Sequence, residues 1–333
     1  MNTIPRVTVL MPVFNGERLL ERSLTSILNQ TFSSFEIIIL DNLSTDSTPI
    51  IVRRLAEQDN RIRYVLDNQH RTSHEAANYL MEMATREFCI SASDDDIWEP
   101  HLLATLVSML DAEPQAGIAV PNTRSVDLKD QPVGRPFLKR YEISLMRSGP
   151  FFFWWTYLVK RNVVPLIFAL FRTSVWKSSS FKTFDWTGAD VDNLFVLSVS
   201  KNHKIAVADE VLFGYRGKVR PKPPGKRPTW FSETWNHYKY YVPHQAKFTG
   251  HIRGLIISSN FNLIQKSLLV LRSYWAFIIH ILLFFPIGLL LERWRRDTNH
   301  ELDKTIAEER LSALQHQTTQ IGYLWFDETT QPK

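Results

Sequence analysis

The first hundred residues alternate between short apolar runs and amphipathic stretches of helical length. The runs are rich in β-branched residues, which is typical of β-strands, and the stretches between them carry apolar residues at helical spacing. The predicted strands are residues 6–11, 35–40, 61–66 and 87–93. The predicted helices are residues 17–30, a segment capped by Ser44 or Thr45, residues 74–84, and a segment whose first turn holds Pro100. This alternation predicts an α/β fold with a doubly wound, mostly parallel sheet flanked by helices.

Charge and cysteine content add weaker constraints on compartment and partners. The single cysteine, Cys89, excludes an intrachain disulfide and fits a reducing compartment. The formal net charge of +5 indicates an anionic partner, such as a membrane surface, a phosphate-bearing ligand or nucleic acid. The first residues lack a charged region followed by a long apolar run, so we expect no signal peptide.

Polar clusters directly follow three of the predicted strands. They are residues 12–15, 41–42 and 94–96. The carboxyl ends of parallel strands meet at one edge of a sheet, and ligands of such folds bind in the crevice at that edge. We therefore expect the three clusters to form one site.

The third cluster contains three consecutive aspartates, in the sequence SASDDDIWEP (91–100). Like charges this close should push at least one carboxyl group toward its protonated form unless a cation shares the site. Hard carboxylate oxygens at a strand end suit Mg²⁺ or Mn²⁺, with phosphate oxygens and water completing the coordination. A solvated acidic turn is the alternative for an isolated run, but Asp41 at the same edge favours a metal–phosphate site.

Residues 7–48, beginning VTVLMPVFNG, and the following SDDDIWEP (93–100) strongly resemble family 2 glycosyltransferases of the GT-A fold. The resemblance extends to about Tyr215 and is strongest up to Pro100. It implies that Phe14 stacks on a nucleobase and that Asp95, with Asp94, holds the metal. The nucleotide-binding residues that it implies are Pro12, Phe14, Asn15, Asp41, Asn42 and Asp94.

The chain departs from the family pattern at three positions. Asn42 stands where many members have a second aspartate, and Ser93 replaces the first acid of the usual DxD motif. Lys218, in the sequence YRGK, stands where many relatives have a metal-binding histidine. A charged lysine cannot ligate a metal, but it can neutralise a diphosphate.

The resemblance also implies a catalytic aspartate before an apolar helix in the second half. In the sequence TGADVDNLFVLSVS, Asp192 falls on the position of the family's base, and Asp190 is the alternative. Either aspartate is also a suitable helix cap. A single base and in-line attack imply inversion at the anomeric carbon.

The C-terminal third contains the longest apolar stretch of the chain. Residues 273–291 carry no formal charge and have the length needed to span a bilayer. Flanking arginines and tryptophans resemble interfacial anchors. An interfacial helix and a buried helix are the alternatives, and membrane association is favoured over a buried helix.

These features divide the chain into four parts. They are 1–218, a GT-A domain with a nucleotide-binding half (1–100) and an acceptor half (101–218); 219–266, a basic loop and helical linker; 267–292, an apolar membrane-associating segment; and 293–333, a charged helical tail.

Together these features predict a metal-dependent, inverting glycosyltransferase at the cytoplasmic face of a membrane, peripheral or single-pass. Its expected partners are a nucleotide-sugar donor, most readily a UDP-sugar, and a glycan or lipid-linked acceptor, without nucleic acid. Mg²⁺ or Mn²⁺ is the expected cofactor. The alternative is a non-catalytic nucleotide-sugar-binding or scaffold protein at the membrane. A nucleotidyltransferase is disfavoured because PVFNGERLL (12–20) is a poor match to a glycine-rich loop.

Overall fold

The computed structural model describes residues 4–160, 166–178, 191–201, 203–216 and 249–279. The chain divides into two compact units. The first comprises residues 1–156, 163–187 and 191–217, and the second comprises residues 157–162, 188–190 and 218–333.

The first four strands and three helices follow the order predicted from the sequence. They are β1 (Val7–Val13), α1 (Leu20–Leu28), β2 (Phe35–Asp41), α2 (Thr48–Gln58), β3 (Ile62–Leu66), α3 (Ser73–Met83) and β4 (Phe88–Ser91). The four strands pair in the order β3-β2-β1-β4, and all three ladders are parallel. The predicted α/β fold with a parallel sheet is therefore confirmed in this half.

The elements that follow complete the sheet and its flanking helices. They are β5 (Ile97–Trp98), α4 (Leu102–Ala112), β6 (Ala116–Val126), β7 (Pro132–Val133), α5 (Arg140–Arg147), α6 (Pro150–Lys160), a 3₁₀ turn (Leu166–Phe168), β8 (Leu170–Arg172), α7 (Thr173–Trp176), α8 (Val191–Ser200) and β9 (Lys204–Tyr215). Among the described residues, nine strands form one sheet in the order β3-β2-β1-β4-β8-β6-β9-β5, with β7 beside β6. In this half β6 and β9 are parallel, whereas β5, β7 and β8 pair in antiparallel ladders.

The core lies where α1 and α4 cover the central strands. Burial of both faces of β1 and β2 explains why their sequences are nearly continuous apolar runs. The helices contribute apolar residues at helical spacing, namely Leu20, Leu24 and Ile27 of α1 and Leu102, Leu103, Leu106, Val107 and Leu110 of α4. Cys89 of β4 is fully buried, and its burial raises the pKa of the thiol to about 12.

The register of the ladders fixes which residues meet at the carboxyl edge. Val13 of β1 pairs with Asp41 of β2, and Leu10 of β1 pairs with Ser91 of β4. The loops after these three strands therefore leave the sheet on the same side.

Two helical segments are described in the part of the second unit that follows residue 217. They are residues 249–257 and α9 (Leu263–Ile279). Asn262 and Gln265 exchange backbone-to-side-chain hydrogen bonds of 2.9 and 3.1 Å, which explains why α9 begins at Leu263. No helix within the described ranges is both long and apolar enough to cross a bilayer. Residues 217–248 and 280–333 lie outside the described residues, so the proposed linker, membrane segment and tail stay predictions.

Candidate active site

The loops after β1 and β2 are held together by reciprocal hydrogen bonds. The Asn15 amide donates to the Ser44 hydroxyl at 3.0 Å, and the Thr45 amide donates to Asn15 Oδ1 at 2.8 Å. Asn15 has a φ of 52° and Leu43 a φ of 64°. Asparagine tolerates this left-handed conformation because its short side chain can form local hydrogen bonds, so the strained position of the first loop is occupied by a suitable residue.

The expectation that Ser44 or Thr45 caps the second helix is wrong. α2 begins at Thr48, and Asp46 Oδ1 accepts the Thr48 amide at 2.9 Å. The other oxygen of Asp46 accepts the Glu17 amide at 3.0 Å, so this carboxylate ties the first loop to the start of α2. Burial alone would raise the pKa of Asp46, but the hydrogen bonds from Thr48 and Glu17 outweigh it and lower that pKa.

Gly16 brings the first loop against the acidic loop that follows β4. A Cβ atom at this position would lie 2.5 Å from Oδ2 of Asp94 and 2.9 Å from a methyl group of Val13. Any other residue at this position would require the Asp94 carboxylate and the Val13 side chain to shift. The Gly16 amide also donates to Thr48 Oγ1 at 2.9 Å, which fixes the approach from the other side. The three polar clusters therefore do meet at one edge of the sheet.

The three aspartates of the acidic loop have different surroundings. The Ser93 hydroxyl donates to Asp95, and the Ser93 carbonyl accepts the Ser23 hydroxyl of α1 at 2.8 Å. Asp96 is buried, and its Oδ1 accepts the Arg216 amide at 2.6 Å. Burial, followed by the charge of Asp95, raises the pKa of Asp96 well above its ordinary value. This direction agrees with the expectation that one carboxyl group is pushed toward its protonated form, and Asp96 is the most buried of the three aspartates.

Arg216 connects the acidic loop to the turn between β6 and β7. Its buried guanidinium forms an ion pair with Asp130. The Asp130 carboxylate forms a second ion pair with Arg22 of α1. Two nitrogens of Arg216, Nε and Nη1, and Asp96 Oδ2 have no hydrogen-bond partner among the described residues. Sequence reasoning missed this cluster. Arg216 and Asp130 lie 86 positions apart, and neither belongs to a motif that would have identified the pair.

Asp41 lies at the end of β2 and is fully buried. Its Oδ1 accepts the Ser44 amide at 2.9 Å, and its Oδ2 accepts the Tyr64 hydroxyl of β3 at 2.7 Å. Burial, followed by the hydrogen bond to Asp41, raises the pKa of Tyr64, so the phenol stays a donor at physiological pH. Both carboxylate oxygens therefore already accept a hydrogen bond from the protein.

The Asn42 side chain forms two hydrogen bonds with the backbone of Arg71. Its Nδ2 donates to the Arg71 carbonyl at 2.7 Å, and its Oδ1 accepts the Arg71 amide at 2.7 Å. An aspartate could form only the second of these bonds, because a carboxylate has no hydrogen to donate. The Arg71 side chain in turn pairs with Asp67 at 2.7 Å and lies over the Tyr79 ring. Asn42 thus holds the segment 67–72, which sequence reasoning did not connect with the site.

Phe14 presents an aromatic face at the same edge. Its side chain is 49% exposed, and its ring meets His70 edge-on with 5.1 Å between the ring centroids. The ring is therefore accessible from solvent, and its predicted role in stacking on a nucleobase stays a prediction. Pro12, in contrast, lies within β1 opposite Leu40 and does not end the strand as the sequence had indicated.

The remaining predicted site residues fall in less fully described parts of the chain. Asp192 lies at the start of α8, but its side chain is not described. Asp190 and Lys218 lie outside the described residues. Their assigned roles therefore stay predictions.

The fold defined by this sheet is that of GT-A glycosyltransferases. The chain superposes on S. aureus TarS 1-349 in complex with UDP with a TM-score of 0.59 and 16% identity, covering 83% of this chain and 71% of that one. It superposes on the mannosyltransferase PcManGT from Pyrobaculum calidifontis, in complex with GDP-Man and Mn²⁺, with a TM-score of 0.50 and 20% identity, covering 92% and 84%. At such identities the likeness establishes the fold alone.

The sequence comparison points to one family. Residues 8–164, just under half of the chain, match the family model described as glycosyl transferase family 2, so this part of the chain is similar to that family. A Campylobacter jejuni GalNAc(5)-diNAcBac-PP-undecaprenol beta-1,3-glucosyltransferase is 35% identical over 105 residues, which are 31% of this chain and 34% of that protein. The Escherichia coli UDP-Glc:alpha-D-GlcNAc-diphosphoundecaprenol beta-1,3-glucosyltransferase WfgD is 30% identical over 104 residues, or 31% and 40%. The match thus spans 34% to 40% of the length of these relatives.

Proposed function

We propose that this chain is a glycosyltransferase that moves a sugar from a nucleotide diphosphate donor to a glycan or lipid-linked acceptor. The observation that carries the proposal is the convergence of three strand ends, where the Gly16 backbone lies against the Asp94 carboxylate. The relatives support the reaction class, since both are named as beta-1,3-glucosyltransferases and both names contain an undecaprenol-linked sugar.

The nucleotide of the donor would occupy the edge formed by the first two loops. The half-exposed ring of Phe14 offers a stacking surface for a base, and such stacking typically contributes about 1–3 kcal/mol. Pro12 and Asp41 near the ends of β1 and β2, and Asn15 and Asn42 in the loops after them, would form the rest of the nucleotide site. We favour a UDP-sugar as the donor. TarS has been solved with UDP and with UDP-GlcNAc, whereas PcManGT was solved with GDP-Man.

The acidic loop fits a hard divalent cation that is shared with the diphosphate. Asp94 and Asp95 offer carboxylate oxygens, the ligand type that Mg²⁺ and Mn²⁺ prefer, and Asp96 keeps one buried oxygen without a partner among the described residues. Within those residues, no group of three or more acidic, histidine or cysteine side chains could hold a metal alone. Phosphate oxygens and water would therefore complete the coordination. We propose Asp95 as the direct ligand, with Asp94 beside it. The bound ion would stabilise negative charge on the departing diphosphate as a Lewis acid.

A carboxylate near the start of α8 would activate the acceptor. We propose Asp192 as the base that takes the proton from the acceptor hydroxyl, with Asp190 as the alternative. Such a base typically contributes about 10²–10⁴ in rate. One base with direct attack would invert the configuration at the anomeric carbon. Lys218, next in the chain after Gly217, would offer a positive charge to the diphosphate.

The place of action proposed for this chain is the cytoplasmic face of a membrane, as a peripheral or single-pass protein. A lipid-linked acceptor would be reached there. The net charge of +5 and the uncharged stretch at 273–291 support the same placement.

A thermal-shift screen of UDP-, GDP- and dTDP-sugars tests the donor assignment. One nucleotide class should raise the unfolding temperature, and it should do so only with Mg²⁺ or Mn²⁺ present. The Asp95→Asn variant is the control, since it should fold but lose the metal-dependent shift. Release of the nucleoside diphosphate with an acceptor then tests transfer. Metal-dependent binding without turnover on any acceptor would favour a non-catalytic nucleotide-sugar-binding or scaffold protein.

A further inference from the structure

The helix α9 turns a continuous apolar face outward. Its exposed side chains recur at helical spacing along one side, and we call them the outer face of α9: Leu263, Ile264, Leu268, Leu271 and Tyr274. In a water-soluble helix this side normally carries polar and charged residues. Ser267 is the single small polar residue exposed among them. The polarity of the exposed side is therefore the reverse of that expected in water.

The opposite side of the same helix is packed against protein. Leu269 and Ser273 are buried, as are Ile252 and Ile256 of the preceding helical segment. The buried side is described from Leu269 to Ser273, and the exposed side runs from Leu263 to Tyr274. A bilayer that covered the outer face would therefore lie alongside the helix, with the helix axis along its surface.

The charge of this region is complementary to an anionic surface. No aspartate or glutamate occurs between Glu233 and Glu292. The described part of this stretch contains Arg253, Lys266 and Arg272, which are partly exposed. Arg253 donates to the Tyr274 hydroxyl and lies over its ring at 4.7 Å. An aromatic ring with a polar tip, paired with an arginine, is typical of the boundary between water and hydrocarbon.

We propose that the outer face of α9 rests on the surface of an anionic lipid bilayer. The apolar side chains enter the boundary of the acyl chains, and the adjacent basic residues meet lipid phosphates. This contact begins ten residues before the uncharged stretch that starts at Ser273, counted from Leu263. It is a surface contact of the helix and does not depend on the reaction assigned to the first unit.

An environment-sensitive probe at position 264 tests the contact directly. Cys89 is buried, so Ile264→Cys would place one reactive thiol on the outer face for a nitrobenzoxadiazole label. The matched control is Ile50→Cys on α2, because Ile50 is 71% exposed and Ile264 is 72% exposed. With vesicles of phosphatidylcholine and phosphatidylglycerol, the label at 264 should brighten and shift to the blue. The label at 50 should not change.

A charge on the outer face should weaken the same interaction. Ile264→Glu or Leu271→Glu should reduce partition of the full chain into these vesicles by about tenfold or more, whereas Ile50→Glu should bind like the wild type. Added salt and vesicles of phosphatidylcholine alone should both weaken binding, because both remove attraction to the basic residues.

Three results would overturn the proposal. The first is an unchanged spectrum of the label at 264 with anionic vesicles. The second is a lowered unfolding temperature for Ile264→Glu but not for Ile50→Glu, which would show that the chain itself covers the outer face. The third is a change from dimer to monomer with Ile264→Glu while vesicle binding is unaffected, which would assign the face to a second copy. Equal binding to neutral and anionic vesicles would also contradict the proposal, because the proposed surface is anionic.

Discussion

The substitution Asn42→Asp tests whether Asn42 acts by holding the segment 67–72 in place or by contacting the nucleotide itself. Asn42 Nδ2 lies 2.7 Å from the Arg71 carbonyl oxygen, and the substitution places a carboxylate oxygen there instead. Two oxygens without a hydrogen between them cannot remain so close, so the Arg71 backbone must move. The bond from the Arg71 amide to Oδ1, also 2.7 Å, survives and gains strength from the charge.

The size of the effect follows from the burial of the pair. Asn42 is buried, and a buried acceptor that loses its donor costs about 1–3 kcal/mol. The lost hydrogen bond destabilises the segment 67–72. This segment contains His70, which contacts the Phe14 ring. If nucleotide binding needs this segment in place, affinity for UDP should fall by about fivefold to a hundredfold, since 1.4 kcal/mol corresponds to a factor of ten.

Three measurements on the variant test this reasoning together. Calorimetric titration with UDP gives the affinity, urea unfolding gives the stability, and hydrogen exchange gives the protection of the Arg71 amide. Asn60→Asp is the matched control, because it makes the same chemical change at an exposed position before β3. Affinity and stability equal to those of Asn60→Asp would refute the reasoning. Weaker UDP binding with unchanged stability and exchange would mean that Asn42 contacts the nucleotide itself.

Three further outcomes are expected. Asp95→Asn should abolish turnover while the fold survives, because the acidic loop loses a repelling charge together with a metal ligand; wild-type activity in EDTA would contradict this. Asp192→Asn should lower the rate by about 10² or more with little change in UDP binding, and the same result for Asp190→Asn alone would move the base by two residues. Because burial raises the pKa of Cys89 from 9.0 to about 12, the native thiol keeps its proton where the unfolded thiol loses it. Stability should therefore fall as pH rises above about 9, by about 1.4 kcal/mol per pH unit, and Cys89→Ser should lack this contribution.

The sequence predicted the parts of the fold that have a periodic signal. β1 and β2 each contain seven residues, long enough for an apolar run to identify them. β5 and β7 contain two residues each and β8 contains three, too few to show an alternation. Their antiparallel pairing depends on tertiary contacts that no local pattern records.

The same limit applies to the candidate site. The convergence of the three clusters was predictable, because topology alone brings the ends of parallel strands together. The attachment of Asn42 to Arg71 was not, because its partner is a backbone group 29 positions away and every residue has one. The acidic loop was found as a motif, but the motif could not tell that Asp96 turns inward to the Arg216 amide.

The described departures from the family pattern have local explanations that do not require loss of function. Asn42 needs an amide to bond both backbone groups of Arg71. Ser93 donates its hydroxyl to Asp95, whereas an aspartate at that position would add a like charge beside Asp95. Both departures therefore change the hydrogen bonds that position a loop. Asp94 and Asp95 still follow β4, at the edge of the sheet where Gly16 lies against Asp94. Because the proposed metal ligands are present in the chain, a transferase and a non-catalytic binding protein can be told apart only by whether the bound donor is turned over. That is the reason to compare Asp95→Asn with the wild type in both binding and turnover.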